Sequence, residues 1–479
     1  MDSPRSPAPR EPRTSRRALL AGAVTAAATP LVIPAGGAVA AAPPTARPGP
    51  GRPLRPRRPH PDLAALLRRV DHRRIEATVR RLAAFGTRHT MSSQDDPARG
   101  IGAARDWIHD QLRGIAAASD GRMTVQLQTF VEPAGPRLPV ATTITNVIAT
   151  LRGTVHPQRV YVVSGHYDSR ASDVLDAVSD APGADDDASG VAAVLELARL
   201  FASHEFPATV VFASVAGEEQ GLFGSAHLAK QLKVAGVDVQ GMFSNDIIGA
   251  SNAFDGTPPD PRTVRLFVEG VPTAETPAQA STRQSIGGEN DGASRQLGRY
   301  VREVAGREVT GMDVRVVWRR DRYLRGSDHI SFLRQGWPAA RFSEPRENFA
   351  HQHQDVRVVD GVQHGDLPEF CDYPYIARVA RVNGAALWSL ARAPGTPREV
   401  VIDNSGLTNT TTLRWARGAE PDLAGYEVLW RDSTASEWTH VIEVGDVTSS
   451  TIDLSKDNVQ FAVRAVGRDG HRSPAAAPG

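Results

Sequence analysis

Histidine and carboxylate side chains recur in short stretches of this 479-residue chain, each beside the predicted end of a strand or helix. The stretches are GHYDS with His166 and Asp168, ADDDA with residues 185–187, AGEEQG with Glu218 and Glu219, SND ending at Asp246, and AHQHQD with His351, His353 and Asp355. Taken singly, such residues are usually caps, turn formers or surface groups. Taken together, several converging carboxylates are unfavourable unless a cation neutralises them. Mixed imidazole and carboxylate ligands suit zinc, so the pattern indicates a zinc site.

The three consecutive aspartates at 185–187 precede an Ala/Leu/Val-rich segment that is typical of a helix. Carboxylates at a helix N-terminus cap free N–H groups and interact favourably with the helix dipole. Capping is therefore the ordinary interpretation of these residues when they are considered alone. A catalytic or metal-binding role for one of them depends on what the rest of the chain brings to the same place.

Strands and helices alternate through most of the chain, which predicts an α/β fold. Hydrophobic patterns predict strands at 159–165, 209–215, 239–246 and 337–344, and helices at 188–204, 225–236 and 373–391. This alternation predicts a mainly parallel central sheet flanked by helices on both faces. The polar stretches follow the carboxyl ends of the predicted strands, where ligands bind in open α/β sheets.

The ordered motifs resemble one enzyme family. GHYDSR, PGADDDASGVAAVLE, FASVAGEEQGLFGS, SND, RGSDHISF and AHQHQD together resemble the two-zinc aminopeptidases of the secreted bacterial leucyl aminopeptidase and aminopeptidase S kind, over roughly residues 61–392. The resemblance implies two zinc ions per chain. It implies these metal ligands: His166, Asp186, Glu219, Asp246 and His351, with Asp186 bridging the two ions. Asp185 and Asp187 keep capping and supporting roles.

The resemblance also implies roles for residues around the ligands. Glu218 matches the general base, and Asp168 matches the partner that orients His166. His351 is chosen over His353 because Asp355 follows it by four residues, as the family pattern requires, and Asp355 is expected to support it. Tyr323 is the candidate for steadying the oxyanion. The chain has RGSDH where relatives have RSDH, which displaces Arg325 by one residue and leaves the contacts to the substrate's amino group open.

Composition excludes several other kinds of site. The single cysteine, Cys371, rules out an internal disulfide and thiolate-rich zinc sites. The formal net charge is +1, and no basic stripe is interleaved with aromatic residues, so nucleic acid is not an expected partner. The expected partners are peptide or protein substrates.

The two ends of the chain differ from its middle. Residues 1–42 contain the pair Arg16 and Arg17, a weakly apolar stretch and small residues at 38–42, which predicts a bacterial Tat-type export signal. We therefore expect a secreted protein without stable membrane insertion in its mature form. Residues 43–60 are Pro/Arg-rich and predict an extended linker ahead of a peptidase domain at 61–393. Residues 394–479 carry short strand patterns and resemble a fibronectin type III module, an all-β sandwich whose ligand is unknown. Trp415 falls in its second strand, whereas Val459 stands where such modules carry a corner tyrosine.

Three functions are compatible with these observations. The first is a secreted metallo-aminopeptidase that releases N-terminal residues through a metal-bridged water. The second is a carboxypeptidase or another amide hydrolase, because the segment WRRDRYLRG could supply cations for a terminal carboxylate from Arg319, Arg320, Arg322 and Arg325. The third is a non-catalytic binding protein, which is disfavoured because every ligand and base position is present.

Overall fold

The computed structural model describes residues 49–252 and 257–479. The predicted export signal, and residues 43–48 of the predicted linker, lie outside this described part. Among the described residues, no helix is both long enough and apolar enough to cross a membrane.

The regular elements are numbered here in chain order. The strands are β1 (Arg52–Pro53), β2 (Met123–Glu132), β3 (Thr142–Leu151), β4 (His156–His166), β5 (Ala208–Val215), β6 (Asp238–Asn245), β7 (Thr263–Val268), β8 (Asp313–Val317), β9 (Ala339–Ser343), β10 (Arg357–Val359), β11 (Val362–His364), β12 (Arg398–Ile402), β13 (Thr411–Ala416), β14 (Leu423–Asp432), β15 (His440–Gly445), β16 (Ser449–Ile452) and β17 (Val459–Gly467). The helices are α1 (Pro61–Leu67), α2 (His72–Ala83), α3 (Ile101–Ala116), α4 (Ser189–Phe201), α5 (Glu218–Gly221), α6 (Phe223–Val234), α7 (Pro277–Ser285), α8 (Ala293–Arg307), α9 (His329–Leu333) and α10 (Tyr373–Arg392).

The central sheet is mixed rather than mainly parallel. Its order in the described chain is β2-β3-β5-β4-β6-β9-β7-β8. The four inner strands β5, β4, β6 and β9 run parallel, as the alternating strands and helices predict. The edges depart from this, because β2 and β3 form a long antiparallel hairpin and β7 pairs antiparallel with β9. A hairpin needs only a short loop and no crossover helix, so strand–helix alternation does not reveal it.

Helices cover both faces of the sheet, as expected. Successive residues of β4 point to opposite faces, so Tyr161 packs in the core with α4 and α10 while Val160 and Val162 pack in the core with α6 and α9. Helix α4 is apolar on nearly every side because it lies between the sheet and the outer helices α2 and α10. This buried helix begins at the acidic triplet and holds it against the end of β4.

The C-terminal part consists of two antiparallel sheets that share one core. One sheet has the order β12-β13-β16, and the other has the order β1-β15-β14-β17. Leu413 and Trp415 from the first sheet pack in the same cluster as Val428 and Phe461 from the second. Two sheets packed face to face agree with the predicted sandwich. The closer likeness to a fibronectin type III module stays a prediction.

The described end of the predicted linker is not a free linker. Arg52 and Pro53 pair with β15 as an added edge strand, and the backbone N–H of Leu54 donates to Thr439 at 2.8 Å. The indole Nε1 of Trp430 donates to the carbonyl of Pro50 at 2.8 Å. A Pro-rich segment is already extended and can lie on a sheet edge, where a missing N–H is tolerated.

The all-β part is tied directly to the α/β part. Arg431 pairs with Asp291 at 2.8 Å, and the indole of Trp438 donates to Gln296 at 3.0 Å, both next to or within α8. Residues Gly49–Gly479 accordingly form one compact unit.

Candidate metal centre

The carboxyl ends of the parallel strands β4, β5 and β6 meet at one cavity of about 580 Å³. His166 is the last residue of β4, Glu218 and Glu219 open the short helix α5 just after β5, and Asp246 follows β6. The acidic triplet lies between β4 and α4 on the same rim. The strand ends therefore bring these predicted residues together, as the position of ligand sites in α/β sheets leads one to expect.

A first cluster consists of His166, Asp186 and Asp246. All three residues are buried, and their potential ligand atoms lie within 4.8 Å of one another. The Nε2 atom of His166 is 3.0 Å from Oδ1 of Asp186.

A second cluster consists of Asp186, Glu219 and His353. The Nε2 atom of His353 lies 2.9 Å from Oδ2 of Asp186 and 3.1 Å from Oε1 of Glu219. Asp186 is therefore common to both clusters, and each of its oxygens faces a different histidine.

The structure corrects the choice of the last histidine, because His353 rather than His351 reaches the clusters. The ring of His351 instead stacks on Phe370, with the ring centroids 3.7 Å apart. Burial and the nearby His364 lower the pKa of His351 to about 4. His353 has a positive φ of 55°, and the turn made there directs its side chain differently from that of His351. Four-residue spacing to Asp355 could not reveal this turn.

Asp355 and Tyr323 are not brought to the clusters either. The carboxylate of Asp355 accepts from the backbone N–H of Ser172 at 3.0 Å, on the surface. Tyr323 is 76% exposed, its ring lies near the guanidinium of Arg319, and it is not among the residues that line the cavity. The expected roles of these two residues thus have no geometric basis in this structure.

Hydrogen bonds hold the acidic triplet so that only its middle residue faces the cavity. Asp187 accepts from the backbone N–H groups of His166 at 2.9 Å and Gly190 at 3.0 Å, which joins the end of β4 to the first turn of α4. Asp185 accepts from the N–H of Gly249 at 2.6 Å. The peptide bond between Asp186 and Asp187 is cis. Asp185 and Asp187 thus support the loop, as the sequence predicts.

A carboxylate from outside the triplet also orients it. Asp366 accepts from the backbone N–H groups of Asp185 and Asp186, each at 2.8 Å. Gln352 donates to Oδ2 of Asp186 at 3.2 Å. These contacts restrain Asp186 from both its backbone and its side chain.

Asp168 occupies the position expected of a residue that orients His166. Nδ1 of His166 bonds to the backbone carbonyl of Asp168 at 3.2 Å, and Oδ1 of Asp168 lies 3.5 Å from the same nitrogen. Oδ2 of Asp168 accepts from the backbone N–H of Glu219 at 3.0 Å. Engaging Nδ1 leaves Nε2 to face Asp186 and Asp246. Asp168 thereby restrains a residue of each cluster, His166 through its backbone carbonyl and Glu219 through its carboxylate.

The electrostatics of the site call for a cation. Burial raises the pKa of Asp246 to about 6 and that of Glu218 well above its ordinary value, and neighbouring carboxylates add to both shifts. The pKa of His353 is lowered by burial, but Glu219 and Asp186 outweigh this and raise it to about 10. Such crowded carboxylates are stabilised by a divalent ion.

Two buried atoms also fit a metal. In the described chain, Nε2 of His166 and Oε1 of Glu219 are buried without a hydrogen-bond partner, since their close contacts lack hydrogen-bond geometry. A buried polar atom without a partner is costly, and coordination would satisfy both atoms. The donor set of imidazoles and carboxylates is suited to zinc.

Several residues of the site are missed by reasoning from the sequence. Arg341 is wholly buried in β9 and donates to Oδ1 of Asp246 at 2.7 Å and to Asp321 at 3.0 Å. The arginine inside the apolar strand WPAARFSE could have indicated this pairing, because arginine is rarely buried without an acidic partner. Asp328, from the motif RGSDH, is buried, both its oxygens lack a hydrogen-bond partner in the described chain, and burial raises its pKa to about 7.

Imidazole and carboxylate clusters thus lie at the strand ends of a mixed α/β sheet. Residues 146–359 match the model of Peptidase family M28. A protein of Pyricularia oryzae described as a probable zinc metalloprotease is 55% identical over 426 residues, which cover 88% of this chain and 85% of that protein. The chain belongs to Peptidase family M28.

Two solved structures match part of this chain at low sequence identity. An aminopeptidase from Aneurinibacillus sp. strain AM-1 is 16% identical with a TM-score of 0.46, covering 69% of this chain and 96% of that one. A glutaminyl cyclase from Fimbriiglobus ruber is 20% identical with a TM-score of 0.48, covering 70% of this chain and 99% of that one. The relative from Pyricularia is fungal. The comparisons therefore support membership of the family, but not the closer resemblance to its secreted bacterial members.

Proposed function

We propose that this zinc metallopeptidase is an aminopeptidase that holds two zinc ions. The observation that carries the proposal is the sharing of Asp186 by two clusters of potential ligands. His166, Asp186 and Asp246 would hold one ion, and Asp186, Glu219 and His353 would hold the other. Zinc at such a site supplies Lewis acidity, which polarises the scissile carbonyl and lowers the pKa of water toward neutrality.

Glu218 is the proposed general base. It is half-buried, lines the cavity and precedes Glu219 at the start of α5. Burial raises the pKa of Glu218, and this favours its taking a proton from the attacking water and returning it to the leaving amine. Asp168 and Asp366 keep the neighbouring groups in place and do not touch the substrate in this scheme.

The charges of the cavity favour an aminopeptidase over a carboxypeptidase that uses the WRRDRYLRG segment. Carboxylates at the bottom of the cavity would attract a free α-amino group. By contrast, Arg322 and Arg325 already pair with Glu347, at 3.1 and 2.8 Å. Their charges are compensated, which weakens the second interpretation of that segment.

Apolar side chains on the cavity wall support a preference for apolar N-terminal residues. Leu222, Leu324 and Phe349 line the same cavity, and Phe349 is 63% exposed. Exposed apolar surface at a cavity rim is available to bury a substrate side chain.

The test combines metal analysis with hydrolysis by the chain from residue 43 onward. We expect two zinc ions per chain, and turnover of leucine p-nitroanilide but not of its N-acetylated form or of an N-blocked dipeptide. Glu218→Gln is expected to lower kcat by at least about 100-fold, since general base catalysis contributes on that order, while the zinc content stays unchanged. Glu289→Gln, at an exposed glutamate outside the cavity, is the matched control.

Two results would contradict the proposal. Turnover of the N-blocked peptide with a free carboxylate would favour the carboxypeptidase. Full activity of Glu218→Gln would remove the assigned base.

A further inference from the structure

Two arginines in the cavity wall have no acidic partner among the residues that the structure describes. Arg137 and Arg170 both line the cavity beside Glu218 and Glu219. Within the described residues, neither guanidinium lies within 4.0 Å of a carboxylate oxygen, the limit for an ion pair. Neither arginine belongs to a metal cluster or acts as the proposed general base.

Backbone carbonyl groups hold both guanidinium groups in place. Arg137 lies on the loop between β2 and β3, and its Nη1 donates to the carbonyl of Glu219 at 3.0 Å. Arg170 follows β4, and it donates to the carbonyls of Ala171 at 3.1 Å and Ser172 at 2.8 Å. A guanidinium has several N–H donors, so these contacts orient each group and leave donors and a full charge available.

The other cations of the cavity differ in this respect. Arg322 and Arg325 share the carboxylate of Glu347, and Arg322 also contacts Asp321 at 3.2 Å. The uncompensated positive charge of the wall therefore lies at Arg137 and Arg170. A planar guanidinium binds a carboxylate through two parallel hydrogen bonds, and it does so more specifically than it binds a neutral group.

The position of Arg137 relates this charge to the proposed reaction. Its guanidinium contacts the backbone of Glu219, whose own carboxylate belongs to the second cluster. A peptide with its amino group among the carboxylates and its scissile carbonyl at the clusters continues outward along the cavity wall. Successive residues advance by roughly 3.5 Å, so a carboxylate one or two residues beyond the scissile bond comes within reach of an arginine side chain.

We propose that Arg137 and Arg170 form a subsite for a substrate carboxylate on the leaving-group side of the scissile bond. The proposal rests on the aminopeptidase function proposed above. It assigns to this protein short peptides whose carboxylate, either the chain terminus or an acidic side chain, lies just beyond the bond that is cut.

The experiment compares four substrates of the zinc-loaded protein. They are Leu-Gly, Leu-Gly amide, Leu-Asp amide and Leu-Asn amide, so that each acidic peptide has a neutral partner of similar shape. We expect kcat/KM to be at least about tenfold higher for an acidic peptide than for its partner, as one charge-assisted hydrogen bond would give. A preference for Leu-Gly identifies a terminal carboxylate, and a preference for Leu-Asp amide identifies an acidic side chain.

Variants connect this preference to the two arginines. Arg137→Gln, Arg170→Gln and the double variant should reduce the ratio of acidic to neutral kcat/KM toward unity, mainly through KM of the acidic peptide. Arg137→Lys and Arg170→Lys should retain part of the preference for the acidic peptide, because lysine keeps the positive charge but lacks the paired N–H donors of a guanidinium. If the glutamine variants fold poorly, the test uses the lysine variants, whose ratio of acidic to neutral kcat/KM should lie below that of the unsubstituted protein. Arg113→Gln, at an exposed arginine in the last turn of α3, is the control.

Failure of the subsite and failure of the enzyme are distinguishable. Equal kcat/KM for acidic and neutral peptides, or an unchanged ratio in the double variant, would overturn the subsite and leave the aminopeptidase intact. If no peptide with a free amino group is hydrolysed, the proposed function itself falls.

Discussion

The two oxygens of Asp186 face different histidines, and this makes Asp186 the residue on which the site depends. His166 lies 3.0 Å from one oxygen, and His353 lies 2.9 Å from the other. Its carboxylate cannot turn freely, because Gln352 contacts the side chain and Asp366 holds the backbone N–H. The position of this one aspartate is thus set by Gln352 and Asp366, which do not belong to either cluster.

The histidine of the second cluster can be identified by substitution. His353→Ala is expected to leave one zinc ion per chain after dialysis and to lower kcat/KM by at least about 100-fold, because it removes a direct ligand. His351→Ala is the matched control from the same loop. It should keep both ions and normal activity, and should lose only its stacking on Phe370, worth about 1 kcal/mol. Loss of zinc from His351→Ala but not from His353→Ala would contradict this assignment and would support His351, which the four-residue spacing to Asp355 favours.

At the scale of elements, charged side chains that are buried between strands form ion pairs with more than one partner. Glu427 on β14 accepts from Arg464 on β17 and from Arg472, each at 2.7 Å. Only 2% of the Glu427 side chain is exposed. Burial raises the pKa of Glu427, but the hydrogen bonds and charges of the two arginines outweigh it and lower the pKa from 4.5 to about 2.

This shift makes the stability of the sandwich depend on pH. Because the folded pKa lies below the unfolded one, the stabilisation is complete above pH 4.5 and is lost as the pH falls toward 2. Glu427→Gln should lower the free energy of unfolding by about 3 kcal/mol at pH 7, and the difference from the unsubstituted protein should shrink as the pH falls. Calorimetric unfolding between pH 7 and pH 3 measures this difference.

The control for this prediction is an exposed pair in the same sheet. Arg52 and Glu443 lie 2.7 Å apart, but their side chains are 55% and 65% exposed. Glu443→Gln should therefore change stability by no more than about 1 kcal/mol at any pH. A constant difference between Glu427→Gln and the unsubstituted protein across the pH range would contradict the assigned pKa.

At the scale of the whole molecule, residues 49–60 connect the all-β part to the peptidase part. Leu54 packs against the cluster that contains Leu429 and Trp438. Arg57 contacts the carbonyl of Gly470 at 3.0 Å and pairs with Glu303 on α8 at 3.3 Å. The segment thus acts as a strap across two parts that the sequence presents as separate domains.

Removing the strap should destabilise the molecule without changing its catalysis. A chain that starts at residue 61 loses the pairing of β1, the backbone hydrogen bonds of Leu54 and His60, the indole bond to Pro50, the contacts of Arg57 and the packing of Leu54. Its free energy of unfolding should therefore fall by at least about 3 kcal/mol relative to a chain that starts at residue 49. Neither the cavity nor the clusters include residues 49–60, so kcat/KM for leucine p-nitroanilide should stay the same. Thermal unfolding and rate measurements on both chains test this. Equal melting temperatures would show that the strap contributes nothing.

Features that depend on local patterns can be predicted from the order of residues alone. The alternation of apolar strands and helices predicts the parallel centre of the sheet, and the motifs at strand ends place His166, Asp186, Glu219 and Asp246 on one rim. These predictions follow from side-chain periodicity and from the geometry of parallel strands, both of which operate over a few residues.

The paths of loops and the contacts between distant segments become known only from the folded structure. The turn at His353 selected that histidine over His351, and the loop after Asp321 left Tyr323 exposed. The β2–β3 hairpin brought Arg137 to the backbone of Glu219, 82 residues further along the chain. Arg52 and Pro53 form an edge strand because they meet the outer side of β15. Such contacts are set by packing between segments far apart in the chain, and no short-range pattern of residue types encodes them.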